Sequence, residues 1–189
     1  MGKIVVSEFI SLDGVIEDPG GGGFRHAGWT FEFETGADGQ KFKFDEVMSS
    51  DALLLGRVTY EEFAAAWPTM EGTGEFGERM NGMPKYVVSS TLKSAEWESS
   101  TVLGGELAEE MAGLKRDLAG NILVNGSAQL VQGLLELDLV DELRLMVFPV
   151  VLGDGKRLFG TTTDKKRLRP ISSMTLGDAS LLIFDGAGR

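Results

Sequence analysis

Three leucines, Leu53-Leu54-Leu55, run straight into Gly56-Arg57-Val58-Thr59-Tyr60, and a helix-like segment follows from Thr59 to Trp67. An unbroken apolar run of this kind reads as a strand buried on both faces, so the sheet it belongs to is covered by helices. The strand delivers a turn and one cation to the sheet edge. Glycine lets an anion approach the main chain, the Arg57 guanidinium suits phosphate oxygens, and Thr59 adds a hydroxyl near a helix start. A second such edge lies downstream, where Ile122-Leu123-Val124 enters Asn125-Gly126-Ser127 and another helix begins. Two strand-turn-helix edges in one chain suggest a dinucleotide held across a sheet.

Composition narrows the rest. The 189 residues, 42% hydrophobic and 25% charged, suit a single globular domain over 1–189 with a substantial core. A net charge of −11 argues against nucleic acid or an anionic membrane as partner, so an anionic ligand needs a local positive spot such as Arg57. The chain has no cysteine, which removes disulfides, thiolate zinc sites and cysteine nucleophiles, and this fits a cytoplasmic protein. His26 is the single histidine, so no metal site is expected, and a Ser-His-Asp triad would have to use this one exposed residue. The N-terminus lacks the apolar region of a signal peptide, and no apolar run reaches membrane-spanning length.

Along the chain, Lys3 to Ile10 reads as a strand, Ser11-Leu12-Asp13-Gly14 as a turn, and Glu17 to Gly23 as a Pro/Gly loop. Residues 24–39 read as a long loop on the active-site side. Gln40 to Ser50 reads as a helix with Phe44, Val47 and Met48 on its apolar face, and Thr69 to Gly82 as a polar surface excursion. Strands are expected at Ala52–Leu55, Tyr86–Ser89, Thr101–Leu103, Ile122–Val124, Leu143–Phe148 and Ser180–Phe184. Helices are expected through Leu107, Met111, Leu114 and Leu118, and through Leu130, Leu134 and Leu135. The alternation predicts an α/β fold with a central mixed, mostly parallel sheet flanked by helices and antiparallel strands at the C-terminal end.

Several groups have two readings. Ser127 either helps bind an anion or caps its helix. Ser89 and Ser90 either meet a ribose or form a polar loop. Asp13 either borders a ligand or closes an Asx-type turn with Gly14. Gly20 to Gly23 is a lid hinge or a flexible loop, and Trp29, Phe31 and Phe33 wall a flat heterocycle or face the core. Among the acids Asp38, Asp45 and Glu46, one could grip a substrate amino group or supply a proton; the alternative is a solvated helix face. Asp45 and Asn125 are the weak candidates for catalysis.

Taken in order, these motifs resemble one family. Leu53 to Tyr60 resembles the strand-Gly-Arg-x-Thr segment of dihydrofolate reductases. Ser11-Leu12-Asp13-Gly14, Val124 to Leu130, Leu139 to Leu143 and Pro149 to Gly153 resemble successive motifs of the riboflavin-biosynthesis reductase (RibD C-terminal) domain. The resemblance spans nearly the whole chain. It implies the dihydrofolate reductase-like fold and an NADPH cofactor. It also implies hydride transfer to a heterocyclic or sugar-linked substrate. By the same resemblance Gly56, Arg57 and Thr59, with Val58 between them, meet phosphates, and Ser89 lies near the adenosine ribose, with Ser90 on the adenosine side where a second cation is usual. Gly126, Ser127, Ala128 and Leu130 cradle the pyrophosphate, while Leu12 and Gly14 border the nicotinamide. Two substrate-side groups depart from the family pattern: Val15 stands where a lysine is usual, and Asn125 where an acid is usual. Dihydrofolate reduction is the alternative activity, and a nucleotide-binding dimeric scaffold without chemistry is the non-enzyme alternative. A homodimer is expected, with the two-faced strand from Leu143 to Phe148 as the candidate contact.

Overall fold

The leucine run is the middle of β2, Ser50–Gly56, and Leu53, Leu54 and Leu55 are completely buried in the computed structural model, which describes residues 1–186. The other strands are β1 (Lys3–Ser11), β3 (Lys85–Val88), β4 (Ser100–Leu103), β5 (Asn121–Val124), β6 (Glu142–Phe148), β7 (Arg169–Leu176) and β8 (Ala179–Asp185). They form one eight-stranded sheet in the order β4-β3-β2-β5-β1-β6-β8-β7. The pairings are parallel from β4 to β6, and β8 and β7 add antiparallel strands at the end. The helices are α1 (Gly36–Met48), α2 (Arg57–Ala66), α3 (Gly74–Gly82), α4 (Leu107–Asp117) and α5 (Ala128–Glu136).

The two faces follow from the alternation of side chains along each strand. Ile4, Val6, Leu54, Ile122 and Val124 pack against Met111 and Leu114 of α4 and Leu130, Val131 and Leu134 of α5. Val5, Leu53, Leu55 and Leu123 face the other way, toward Val47 of α1, Tyr60 of α2 and Met80 of α3. A third cluster at the antiparallel end joins Trp29, Phe148, Leu176 and Leu181.

Several sequence expectations change. α1 begins at Gly36, within the stretch read as loop. It buries Glu46 and Val47 and leaves Phe44 and Met48 exposed, because ion partners make room for the carboxylate inside. The polar excursion contains α3, whose Met80 reaches the core. β7 carries Arg169-Pro170 and the exposed Ser173 and Thr175, so its edge position and mixed pattern hid it. The three aromatics form no single wall, and only Phe33 is half-buried. Trp29 is core, set edge-on to Phe148 at 5.5 Å between ring centroids, while Phe31 stands in solvent.

Lys85 shows how a fully buried cation is accommodated. Its Nζ donates to the carbonyls of Met83 (2.8 Å) and Glu98 (2.9 Å) and sits 4.3 Å from the centre of the Trp97 ring. Burial pulls its pKa down to about 8. No helix among the described residues is long and apolar enough to cross a membrane.

Candidate active site

The sheet splits beside β1. β5 pairs with β1 only as far as Val6↔Val124, whereas β1 continues beside β6 to Ser11↔Phe148. A cleft therefore opens between the last residues of β1 and the turn that follows β5. This is where an open α/β sheet presents its loops to a ligand. Gly126 and Ser127 of that turn both adopt left-handed backbone, at φ 61° and 62°. The Asn125 amide donates to the Ser7 carbonyl at 2.7 Å, and the Gly126 N–H donates to Oε2 of Glu8 at 3.0 Å. Both bonds bridge the split.

The neighbouring edge is bolted to this one. The Gly56 N–H donates to the Ser127 hydroxyl at 2.9 Å, and the Ser127 N–H donates to the Thr59 hydroxyl at 3.0 Å. Ser127 therefore does not cap its own helix, and α2 has no side-chain cap either. The first-turn amides of both helices stay without side-chain partners, and a helix leaves these groups unpaired internally. Neither α2 nor α5 carries an acid in its first turn, although α1, α3 and α4 all do. In a chain of net charge −11, two acid-free helix N-termini meet at the carboxyl ends of β2 and β5. Their dipoles favour an anion there.

The remaining candidates sort themselves around this point. Arg57 opens α2, with Nη1 held 2.7 Å from Oε2 of Glu61, and Val58 beside it is exposed. Ser89 follows Val88, the register partner of Gly56, so it lies along the same edge. Its hydroxyl accepts the Thr91 and Leu92 amides, and Ser90 is exposed. Leu130 is a core residue that anchors α5, and Ala128 is half-buried at the start of that helix.

Leu12 is 64% exposed at the far end of β1, with its N–H on the Val150 carbonyl. Gly14 turns there at φ 85° with open space where a side chain would stand. Asp13 fastens this end of the cleft. It accepts from the Ser11 hydroxyl (2.7 Å) and from the amides of Gly153 (2.9 Å) and Leu152 (3.1 Å). The Ser11 bond first, then the two amides, hold its pKa at about 2. Val15 is fully buried and bridges to Arg157.

Asp45 lies outside this arrangement, exposed on α1 and paired with Lys41. Its neighbour Glu46 points inward instead. It accepts from the Ser7 hydroxyl at 2.9 Å and from Arg144 at 3.1 Å, and it pairs with Lys43. Burial pushes the Glu46 carboxyl up, but Lys43, Ser7 and Arg144 outweigh that and hold it below its ordinary value. Lys43 also stands 5.2 Å from the centre of the half-buried Phe9 ring. Phe9 in turn packs on Phe148 at 5.6 Å, with Phe33 at 5.8 Å from the same ring. Sequence reasoning named Phe33 as a possible wall but missed Phe9 and Lys43, as well as Glu8. The signal for Glu8 was visible: it is the one acid in a mostly apolar strand, Lys3–Ser11. Among the described residues no group of three His, Cys, Asp or Glu could hold a metal ion. A shallow depression lined by Tyr60, Ala64 and Trp97 meets the site only at Glu61, the partner of Arg57.

The chain is 30% identical over 182 residues to the protein YwjB of Bacillus subtilis (strain 168), covering 96% of this chain and 97% of that one. A Shewanella sp. PV-4 protein named for riboflavin biosynthesis superposes with a TM-score of 0.79 at 21% identity, covering 98% of this chain and 99% of that one. Dihydrofolate reductase from Enterococcus faecalis, solved with NADP(H), superposes with a TM-score of 0.62 at 13% identity, covering 97% and 96%. The fold is thus dihydrofolate reductase-like. The RibD C-terminal domain profile matches residues 2–182, and the chain belongs to the RibD C-terminal domain family.

Proposed function

We propose that residues 1–189 form one reductase domain that binds NADPH along the carboxyl ends of β3, β2, β5 and β1 and reduces a small heterocyclic or sugar-linked compound. The observation that carries this reading is the junction of the α2 and α5 N-termini through Gly56, Thr59 and Ser127. Its backbone suits a pyrophosphate. Gly126 has no side chain, and a Cβ built there would meet Thr59 at 3.0 Å. The amides of Ala128 and of the first turn of α2 are available to phosphate oxygens, and Arg57 supplies a cation beside them. Ser89 lies one strand further along, on the adenosine side. Leu12 and Gly14 border the other end.

NADPH, when bound, supplies the hydride. The chain's part is to hold the reduced ring against the substrate and keep water out. Next to β1 the half-buried rings of Phe9 and Phe33 both pack on Phe148, and Lys43, paired with Glu46, stands 5.2 Å from the centre of the Phe9 ring. These rings suit a planar partner. The Asn125 amide is committed to Ser7 and, as a positioning residue, ties the β5–α5 turn to β1.

The test is a fluorescence titration of the folded protein with NADPH and NADH, followed by NADPH oxidation with a panel of cyclic carbonyl and imine compounds. Saturable NADPH binding with a preference over NADH supports the reading. A folded protein that binds neither cofactor defeats it.

A further inference from the structure

Glu8 sits where the proposed cofactor site needs an anion to go, and it is itself an acid. It lies on β1 two residues beyond Val6, the last partner of β5, and is only 5% exposed. Oε2 accepts the Gly126 N–H of the β5–α5 turn at 3.0 Å. Oε1 is buried and has no hydrogen-bond partner. Buried carboxyl oxygens are nearly always paired, so an unpaired one beside a helix N-terminus marks a place made for a further group.

The two protonation states differ sharply here. An ionised Glu8 would place a buried negative charge against any incoming phosphate and leave Oε1 unsatisfied. A neutral Glu8 keeps the Gly126 bond through one oxygen and has an O–H to donate from the other. The surroundings favour the neutral form. Burial raises its pKa well above the ordinary carboxylate value, against the Gly126 amide and Lys43, while Glu46 raises it further. Lys43 and Glu46 both belong to α1, on the opposite face of the sheet. On the near side, α5 begins with the uncharged Ala128, Gln129, Leu130 and Val131. Along β6, Glu8 is opposite Leu145.

We propose that Glu8 is a ligand-binding acid: as a neutral carboxylic acid it donates its free hydroxyl to an oxygen of the dinucleotide entering the cleft, so that only the protonated protein binds. This rests on the NADPH site proposed above and adds to it a residue and a coupled proton. The proton balance is explicit. Below the pKa of Glu8 in the free protein, the acid is already present and binding moves no proton. Above it, each bound dinucleotide takes one proton from solvent, and the dissociation constant rises about tenfold per pH unit.

The experiment is a titration of the full chain with NADH and with NADPH from about pH 6 to about pH 9.5, repeated by calorimetry in two buffers of different ionisation enthalpy. NADH is the decisive probe, because the extra phosphate of NADPH titrates near pH 6 on its own account. The expected result is flat affinity at low pH, then a tenfold loss per unit with uptake of one proton. Glu8→Gln keeps an acceptor for Gly126 and a donor for the ligand without a titrating proton, so it binds within a few-fold of the low-pH value at every pH. Flat affinity in the unaltered protein overturns the proposal, and so does the same pH slope in Glu8→Gln. If Glu8→Gln does not fold, the buffer dependence of the unaltered protein decides alone. Binding that is strong but free of proton uptake defeats Glu8 and spares the cofactor site. Absence of binding at every pH defeats both.

Discussion

The Thr59 hydroxyl receives the Ser127 amide at 3.0 Å, so a side chain in the first turn of α2 holds the backbone at the start of α5. Thr59 is buried and its Cγ2 also limits the space over Gly126. Thr59→Val keeps the shape and removes the acceptor. Removing the acceptor leaves the Ser127 amide unpaired, at a cost of roughly 1–3 kcal/mol. Urea unfolding is therefore expected to show a loss of about 1–3 kcal/mol with an unchanged slope. NADPH affinity is expected to fall about tenfold, since the two helix starts no longer share one register. A variant that loses stability but binds NADPH as well as the parent would show that the clamp serves the fold alone.

Gly126 and Gly14 separate backbone strain from steric approach. Both have positive φ, at 61° and 85°, so alanine is strained at either position by about 1–2 kcal/mol. Only at Gly126 does the new Cβ also meet a neighbour, Thr59 at 3.0 Å; at Gly14 there is nothing within 4 Å. Gly126→Ala is expected to melt lower than Gly14→Ala and to weaken NADPH binding by a further factor of about ten. Equal effects on binding would mean that the turn after β5 carries no special close approach.

The parts of the fold legible in the sequence are those whose burial is continuous. Leu53-Leu54-Leu55 and Ile122-Leu123-Val124 are fully apolar because helices cover both faces, and their following turns stand out for that reason. α1 misled because its inward residue, Glu46, is charged, and its partners Ser7 and Arg144 lie 39 and 98 residues away. No local pattern reports such a pairing. β7 failed for the converse reason: an edge strand needs no alternation and tolerates Pro170. Glu8 lay in plain view as an acid in a mostly apolar strand. Its meaning depends on where β1 parts from β5, which only the register reveals.

Asp13 gives the protein an acid-sensitive tie between the turn after β1 and residues 152–153. Its folded pKa of about 2 lies below the unfolded value of about 3.9, so its carboxylate stabilises the fold above that unfolded value. The contribution is lost as pH falls toward the folded pKa. Unfolding midpoints in urea are expected to drop between about pH 4 and about pH 2. Asp13→Asn is expected to be less stable at neutral pH, since it weakens the bonds from Gly153 and Leu152, and to show a shallower acid limb. An unchanged acid limb in Asp13→Asn would assign the sensitivity to another carboxylate.

Arg57 and Glu61 set the final prediction, because the cation proposed for the cofactor already has a partner. The pair spans one helical turn at 2.7 Å, with side chains 42% and 48% exposed. An exposed pair of this kind is worth about 0.2–1 kcal/mol and weakens with salt. A phosphate that recruits Arg57 must first displace Glu61. Glu61→Gln is then expected to tighten NADPH binding by up to about fivefold and to leave NADH nearly unchanged. Arg57→Ala acts in the opposite sense. A charge-assisted contact contributes about 1.5–3 kcal/mol, so its loss erases one to two decades of NADPH preference. Raising the salt concentration should shrink the difference between the Glu61→Gln variant and the parent, because screening already loosens the pair. If both substitutions leave the NADPH to NADH ratio untouched, the adenosine phosphate lies away from α2, and Arg57 does no more than solvate the start of its helix.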